Sequence, residues 1–216
     1  CPMVLRFPSG GGIHAPEHHS ESPEALYAHM PGLRVVIPSS PSRAYGLLLA
    51  SIRDPDPVVF LEPKRIYRWQ REEVADDGEE LPLDVCFTLR DGQDLTLVTW
   101  GAMVKETLQA ADELEKRGVD VEVIDVATIS PLDMDTIIES VGRTGRCVIV
   151  QEAPRHCGVA SEIAANLADA GIFSLLAPVK RVCGYDTVMP LYRNEMKYMP
   201  SVRRIVDAAN EVLEVS

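Results

Sequence analysis

No stretch of this 216-residue chain stays apolar for long. A membrane-spanning helix needs about 20 consecutive apolar residues, so none is expected. Basic side chains are scarce, 21 Lys and Arg against 33 Asp and Glu, giving a formal net charge of -12. A nucleic-acid partner requires a basic footprint that displaces the phosphates' counterions, and the acidity argues against that class. Aromatics supply only 6% of the residues, although 46% are apolar, which is globular composition and not that of a disordered chain. The five cysteines, Cys1, Cys86, Cys147, Cys157 and Cys183, are odd in number, widely spaced and form no C-x-x-C. Neither a disulfide framework nor a zinc ribbon fits, and reduced thiols in a cytosol-like compartment are the reading. The chain also lacks a G-x-S-x-G elbow, an H-E-x-x-H pair, a P-loop lysine and the G-x-G-x-x-G spacing, so no common nucleophile or nucleotide motif applies. There is no leading methionine, and the apolar run Met3-Val4-Leu5 comes almost at once, which reads as a start inside a fold.

What is present alternates. Residues 1–70 carry seven basic and six acidic side chains, and residues 71–216 carry fourteen and twenty-seven. Between them Arg71 to Glu80 is polar and aperiodic, and reads as a solvated linker or surface excursion. In the first part Met3 to Phe7, Leu33 to Ile37 and Pro57 to Leu61 read as strands. Helices are expected from Ser22, as cap with Pro23 at the first helical position, and over Pro41 to Ile52. In the second part strands over Leu95–Thr99, Val119–Val126, Cys147–Val150 and Val179–Cys183 interleave with helices. Those run over Met103–Lys116, Leu132–Val141, Ala160–Ala170 and Val202–Leu213. Strand–helix alternation predicts an α/β fold, two parallel units covered on both faces. The first unit is partial and the second complete.

The densest chemistry is the stretch Gly10-Gly11-Gly12-Ile13-His14-Ala15-Pro16-Glu17-His18-His19-Ser20-Glu21, between a strand and a helix. Ligands of open α/β sheets bind beyond the carboxyl ends of strands. Three readings stand: a loop of surface histidines, a metal site with Glu17 or Glu21, or acid–base work by an imidazole poised near neutral pH. Pro16 argues against the metal, because it breaks any helix that would align His14 with His18. Asp54-Pro55-Asp56-Pro57 is a rigid turn or a set of carbonyls for a hard monovalent ion. Glu62-Pro63-Lys64-Arg65 is a surface cluster or an ion-pair network at a subunit contact. His156, after Glu152-Ala153-Pro154-Arg155, also follows a strand and is either a packed or exposed histidine or a functional one.

Several ordered motifs together resemble one family. They are His18-His19-Ser20-Glu21-Ser22-Pro23-Glu24-Ala25, Pro31 to Pro38, Ile52 to Lys64, and Arg181-Val182-Cys183-Gly184-Tyr185-Asp186-Thr187. The chain is similar over its whole length to beta subunits of thiamine-diphosphate-dependent 2-oxo acid dehydrogenases, of the branched-chain type or the related pyruvate and acetoin types. The resemblance implies a transketolase-like architecture. Residues 1–75 would be the second half of a pyrimidine-binding domain, 76–92 a linker, and 93–216 a C-terminal domain. Roughly a further third of chain would precede Cys1 and hold the glutamate that protonates the cofactor's aminopyrimidine.

The resemblance also assigns roles. His19 matches the family's active-site histidine, which transfers a proton as the acyl group passes to lipoyl. His14, His18 and Glu21 would lie near substrate or lipoyl, Glu21 standing where glutamine is more usual. A potassium or similar ion would sit on backbone carbonyls of Ser51, Asp54 and Asp56, with others near Cys1, Met3 and Val4. Thiamine diphosphate and magnesium would be held mainly by an alpha subunit, in an alpha2–beta2 heterotetramer. The C-terminal domain would dock the peripheral-subunit-binding domain of an acyltransferase core, and the core's lipoyl domains would be further partners. The expected setting is cytoplasmic, or the mitochondrial matrix in a eukaryote. The branched-chain acids come first as substrate on the Ser22–Ala25 and Arg181–Thr187 motifs, with pyruvate next on Gly101 to Val104 and Val150 to Ala153. A non-catalytic assembly module is the alternative from another class.

Overall fold

The computed structural model describes residues 1–215. Two sheets form it. In the first, strands β1 (Val4–Ser9), β2 (Arg34–Val36) and β3 (Val58–Pro63) are parallel, in the order β1-β3-β2. In the second, β5 (Leu95–Thr99), β6 (Val121–Asp125), β8 (Cys147–Pro154) and β9 (Lys180–Gly184) are parallel. The central strands are continuous apolar runs such as Val58-Val59-Phe60-Leu61 and Cys147-Val148-Ile149-Val150, buried throughout. That pattern belongs to strands covered on both faces.

Two short strands escape the sequence pattern. Phe87–Arg90 (β4) pairs antiparallel with β6 at one edge of the second sheet and lies inside the span read as linker. Thr128–Ser130 (β7) leaves the second unit and pairs antiparallel with β2 of the first. Both sheets are therefore mixed, and three residues from the second unit close an edge of the first. Runs of three or four residues are too short to show a period.

Helices begin and end on local signals. Ser40 caps α2 (Pro41–Arg53) through the Arg43 N–H at 3.3 Å, with Pro41 at the first position. Asp133 caps α4 (Met134–Thr144) through Thr136, and Gly145 ends it at φ +68°. Ser201 caps α7 (Val202–Leu213). The expected cap on Ser22 is not made. The five-residue α1 (Glu24–Ala28) follows Pro23 without a side-chain cap, because the Ser22 hydroxyl is given to Glu152 instead.

On one face of the second sheet, α3 (Val104–Glu115) and α7 cover Leu97, Val123 and Val150. On the other, α4 and α5 (Val159–Gly171) share a core with Val35, Val59 and Leu61 of the first sheet. One continuous apolar cluster thus spans both units. No helix among the described residues is long and apolar enough to cross a membrane. All five cysteines are free thiols.

Candidate functional site

The carboxyl ends of β1, β3, β8 and β9 converge where the two units meet. The glycine loop after β1 turns with positive φ at Gly10 (+77°), Gly12 (+80°) and His14 (+60°). Glycine takes these values freely, and the turn points the Gly12, Ile13 and His14 N–H groups towards one carboxylate, an anion-binding nest, and the Gly11 N–H towards another. Two carboxylates of the second unit fill it. Glu152, inside β8, accepts from the Gly11 N–H at 2.5 Å and the Ser22 hydroxyl at 3.2 Å. Glu195, on the single-turn α6 (Glu195–Tyr198), accepts from the N–H groups of Gly12, Ile13 and His14 at 2.8, 3.2 and 2.8 Å. Glu195 is wholly buried. The Met189 and Arg65 side chains lie where a Cβ on Gly11 or Gly12 would go, and the positive φ at Gly10 and Gly12 calls for glycine there. The loop is held by protein anions and offers no free cradle for a phosphate.

The histidines stand on the rim. His14 sets Nδ1 2.8 Å from Glu195 Oε2 and packs on the Tyr192 ring, 4.6 Å between centroids. His18 and His19 lie in a 3-10 turn, rings 6.0 Å apart, with His18 Nδ1 3.6 Å from Glu21. The Lys64 ammonium donates to the His19 carbonyl, fixing the backbone while the residue stays exposed. Ser20, buried beside it, donates to the Pro16 carbonyl at 3.2 Å. His29 lies apart, at the end of α1. The sequence-predicted cluster is therefore brought together as His14, His18, His19 and Glu21 on one loop, without three side chains converging as metal ligands anywhere among the described residues.

Across a cleft of about 490 Å³ from Ser20, Glu21 and Leu26 stands a second pair, His156 and Asp186. His156 Nδ1 is 2.8 Å from Asp186 Oδ2, and this bond holds the Asp186 carboxyl below the usual carboxylate range. Beneath the loop, burial pushes Glu24 up to about 7, its carboxylate 3.4 Å from the Trp100 indole N–H. Burial raises Glu152 as well, against the Gly11 N–H that favours its charge.

The Glu62-Pro63-Lys64-Arg65 cluster is an internal network. Glu62 meets Arg6 and Tyr67, and Arg65 forms a largely buried pair with Glu106. At the aspartate turn, Arg34 takes both Asp54 oxygens (2.9 and 3.0 Å), Asp56 at 3.4 Å and Asp84 at 2.7 Å. Ser51 is buried and bonds the Leu47 carbonyl. The Met3 carbonyl accepts from the Val58 N–H at 2.9 Å. Sequence reasoning missed Glu195 and Glu24, and placed Glu152 at a strand end when it lies within the strand. Glu195 sits in a loop-rich stretch, and only the glycines it serves, some 180 residues earlier, mark the need for an acceptor.

Comparison with known proteins places this arrangement. Residues 86–205 match the family described as Transketolase, C-terminal domain, and residues 1–70 match Transketolase, pyrimidine binding domain. The chain is 49% identical over 213 residues to the pyruvate dehydrogenase E1 component subunit beta of Bacillus subtilis (strain 168), covering 99% of this chain and 66% of that one. It is 46% identical to the subunit of the same description from Staphylococcus epidermidis, again covering 99% and 66%. A solved split-gene transketolase, described as an inactive beta4 tetramer, superposes with a TM-score of 0.81 at 24% identity, covering 98% of this chain and 66% of that one; at that identity it speaks for the fold. The chain thus spans just under two thirds of the relatives it matches. With its C-terminal part matched across most of its length and its first 70 residues matched to the partner domain, the chain belongs to the transketolase family.

Proposed function

We propose that this chain is the greater part of a beta subunit of the decarboxylating component of a 2-oxo acid dehydrogenase, with pyruvate as substrate. The observation that carries the reading is the 49% identity, along 99% of the chain, to a pyruvate dehydrogenase E1 subunit beta. Pyruvate thereby takes precedence over the branched-chain acids favoured by the sequence motifs, which stand as the second reading on Ser22–Ala25 and Arg181–Thr187.

Thiamine diphosphate with magnesium, when bound, supplies the carbanion chemistry of decarboxylation. The residues present do not offer its diphosphate a seat, because the glycine-loop N–H groups already serve Glu152 and Glu195. The diphosphate and magnesium fall to the alpha partner. This chain's contribution is the histidine rim. His19, on a loop pinned through its own carbonyl by Lys64, supplies a proton to the lipoyl sulfur as the disulfide opens to accept the acyl group. His14, His18 and Glu21 border the approach. A monovalent ion near Ser51, Asp54 and Asp56 would rest on main-chain carbonyls, since Arg34 already compensates the aspartates.

The working assembly is an alpha2–beta2 heterotetramer in the cytoplasm, docked on an acyltransferase core. The acidic excess beyond residue 70, fourteen basic against twenty-seven acidic side chains, complements a basic docking domain. The test uses the full-length subunit co-expressed with its alpha partner. Thiamine-diphosphate-dependent decarboxylation of pyruvate and of 3-methyl-2-oxobutanoate is followed with an artificial electron acceptor. Faster turnover of pyruvate is expected. The reverse ratio would move the assignment to the branched-chain type, and no turnover from a well-formed heterotetramer would leave an assembly module.

A further inference from the structure

We infer that Glu152 is a positioning residue: from inside a strand of the second unit it closes the neck of the first unit's histidine loop, and so sets where His14, His18 and His19 stand. A single oxygen does this. Glu152 Oε1 accepts from the Gly11 N–H at 2.5 Å and from the Ser22 hydroxyl at 3.2 Å, one donor from each end of the loop. Beside it the Gly10 N–H donates to the Glu21 carbonyl at 2.7 Å, so the two ends also touch directly. A segment of this length, residues 10–22, with its ends joined is an Ω-loop, a compact surface unit. Among the described residues the Glu152 carboxylate accepts from this loop alone. The Arg65 guanidinium, whose charge also favours the Glu152 carboxylate, makes its own hydrogen bonds to Glu106. A buried carboxylate is costly unless it is hydrogen-bonded, so opening the neck would leave Glu152 without its donors.

The anchor is rigid. β8 is buried from Cys147 to Ala153 and pairs with β5 and β9 on its two sides, and a side chain on such a strand is placed more sharply than one on a loop. The middle of the loop is held separately, by Glu195 at residues 12–14 and by Lys64 at the His19 carbonyl. Those contacts fix each half. The neck fixes how the halves face one another, with His14 in the first and His18 and His19 in the second. What the histidines do there rests on the proposed function, whereas the closed neck rests on geometry alone. Three variants separate the two, each in the full-length subunit assembled with its alpha partner. Glu152→Leu removes the acceptor. Glu152→Gln keeps an amide oxygen that can take both donors. Ser22→Ala cuts one tie without touching β8, and decides the matter should the leucine variant fail to assemble.

In the wild type the Gly10 and Gly11 amides should exchange slowly, and in Glu152→Leu at least about tenfold faster. Turnover is read in two ways: oxidation of the 2-oxo acid by an artificial acceptor, and reductive acylation of a lipoyl domain, the step assigned to the histidine. In Glu152→Leu acylation should fall about tenfold further than acceptor turnover, and Glu152→Gln should restore it to within about threefold of wild type. Ser22→Ala should lie between wild type and Glu152→Leu in Gly11 exchange and in acylation. A general loss of packing would lower both activities alike and would not be rescued by the amide. Equal losses in the two assays, no rescue by glutamine, Ser22→Ala indistinguishable from wild type, or wild-type Gly10 and Gly11 amides that exchange like a free loop overturns the inference. A wild type that turns over no 2-oxo acid overturns the proposed function instead, and the exchange rates still decide the neck.

Discussion

Glu24 is fully buried at the junction of the two units, close to Glu152 and to the Trp100 indole. Burial pushes its pKa up from 4.5 to about 7. A folded-state pKa above the unfolded one means the folded protein binds the proton more tightly. Glu24 therefore favours the fold at low pH, and that contribution is lost as pH climbs from about 4.5 through 7. At full ionisation the loss is roughly 3 kcal/mol. Glu24→Gln removes the titration, so its urea midpoint relative to wild type should rise between pH 5 and pH 8. An equal difference at both pH values would show that Glu24 is not the titrating group. Asp125, buried against Ser39 and raised to about 6, leaves a residual slope of the same sign. At this scale the sequence exposes only part of the site. His14, His18, His19 and Glu21 are legible because they share one loop after one strand. Glu195 is not, because its partners are backbone amides without side-chain signature and lie far away in the chain.

Among elements, the acidic stretch after residue 70 is irregular as its composition suggests, yet it is fastened. Leu81 donates its N–H to the Gly46 carbonyl at 3.1 Å, and its side chain lies where a Cβ on Gly46 would go. The Tyr45 hydroxyl joins Asp76 and the Gly78 N–H, both at 3.0 Å. Replacing Gly46 by valine should push Leu81 off α2 at a cost of about 1–3 kcal/mol. Faster proteolysis within residues 71–83 would register it, with exchange on α3 unchanged. Unaltered cleavage would show that the segment is already loose. The long helices and buried strands were readable because each carries a period or an apolar run with a cap, proline or glycine at its ends. The two missed strands are held by a neighbour's edge. Thr128–Ser130 is placed by β2, and Phe87–Arg90 by β6.

For the whole molecule, the shared apolar cluster and the exchanged strand make the two units one cooperative body. A protease site engineered between residues 71 and 80 should be cut without separating the pieces. They are expected to elute together from a sizing column in native buffer and part only in denaturant, and elution as two species would contradict the shared core. The two family matches break between residues 70 and 86, but the fold does not. Ser130 donates to the Leu33 carbonyl at 3.2 Å, and the Asp84 N–H donates to the Thr128 hydroxyl at 3.1 Å while its carboxylate holds Arg34. Recombination has a boundary in the sequence here that it lacks in space. A chimera joining the first 70 residues of one homologue to the remainder of another inherits a foreign strand at the rim of its first sheet. Such hybrids should succeed only when the parents agree at these few crossing positions, whatever their similarity elsewhere.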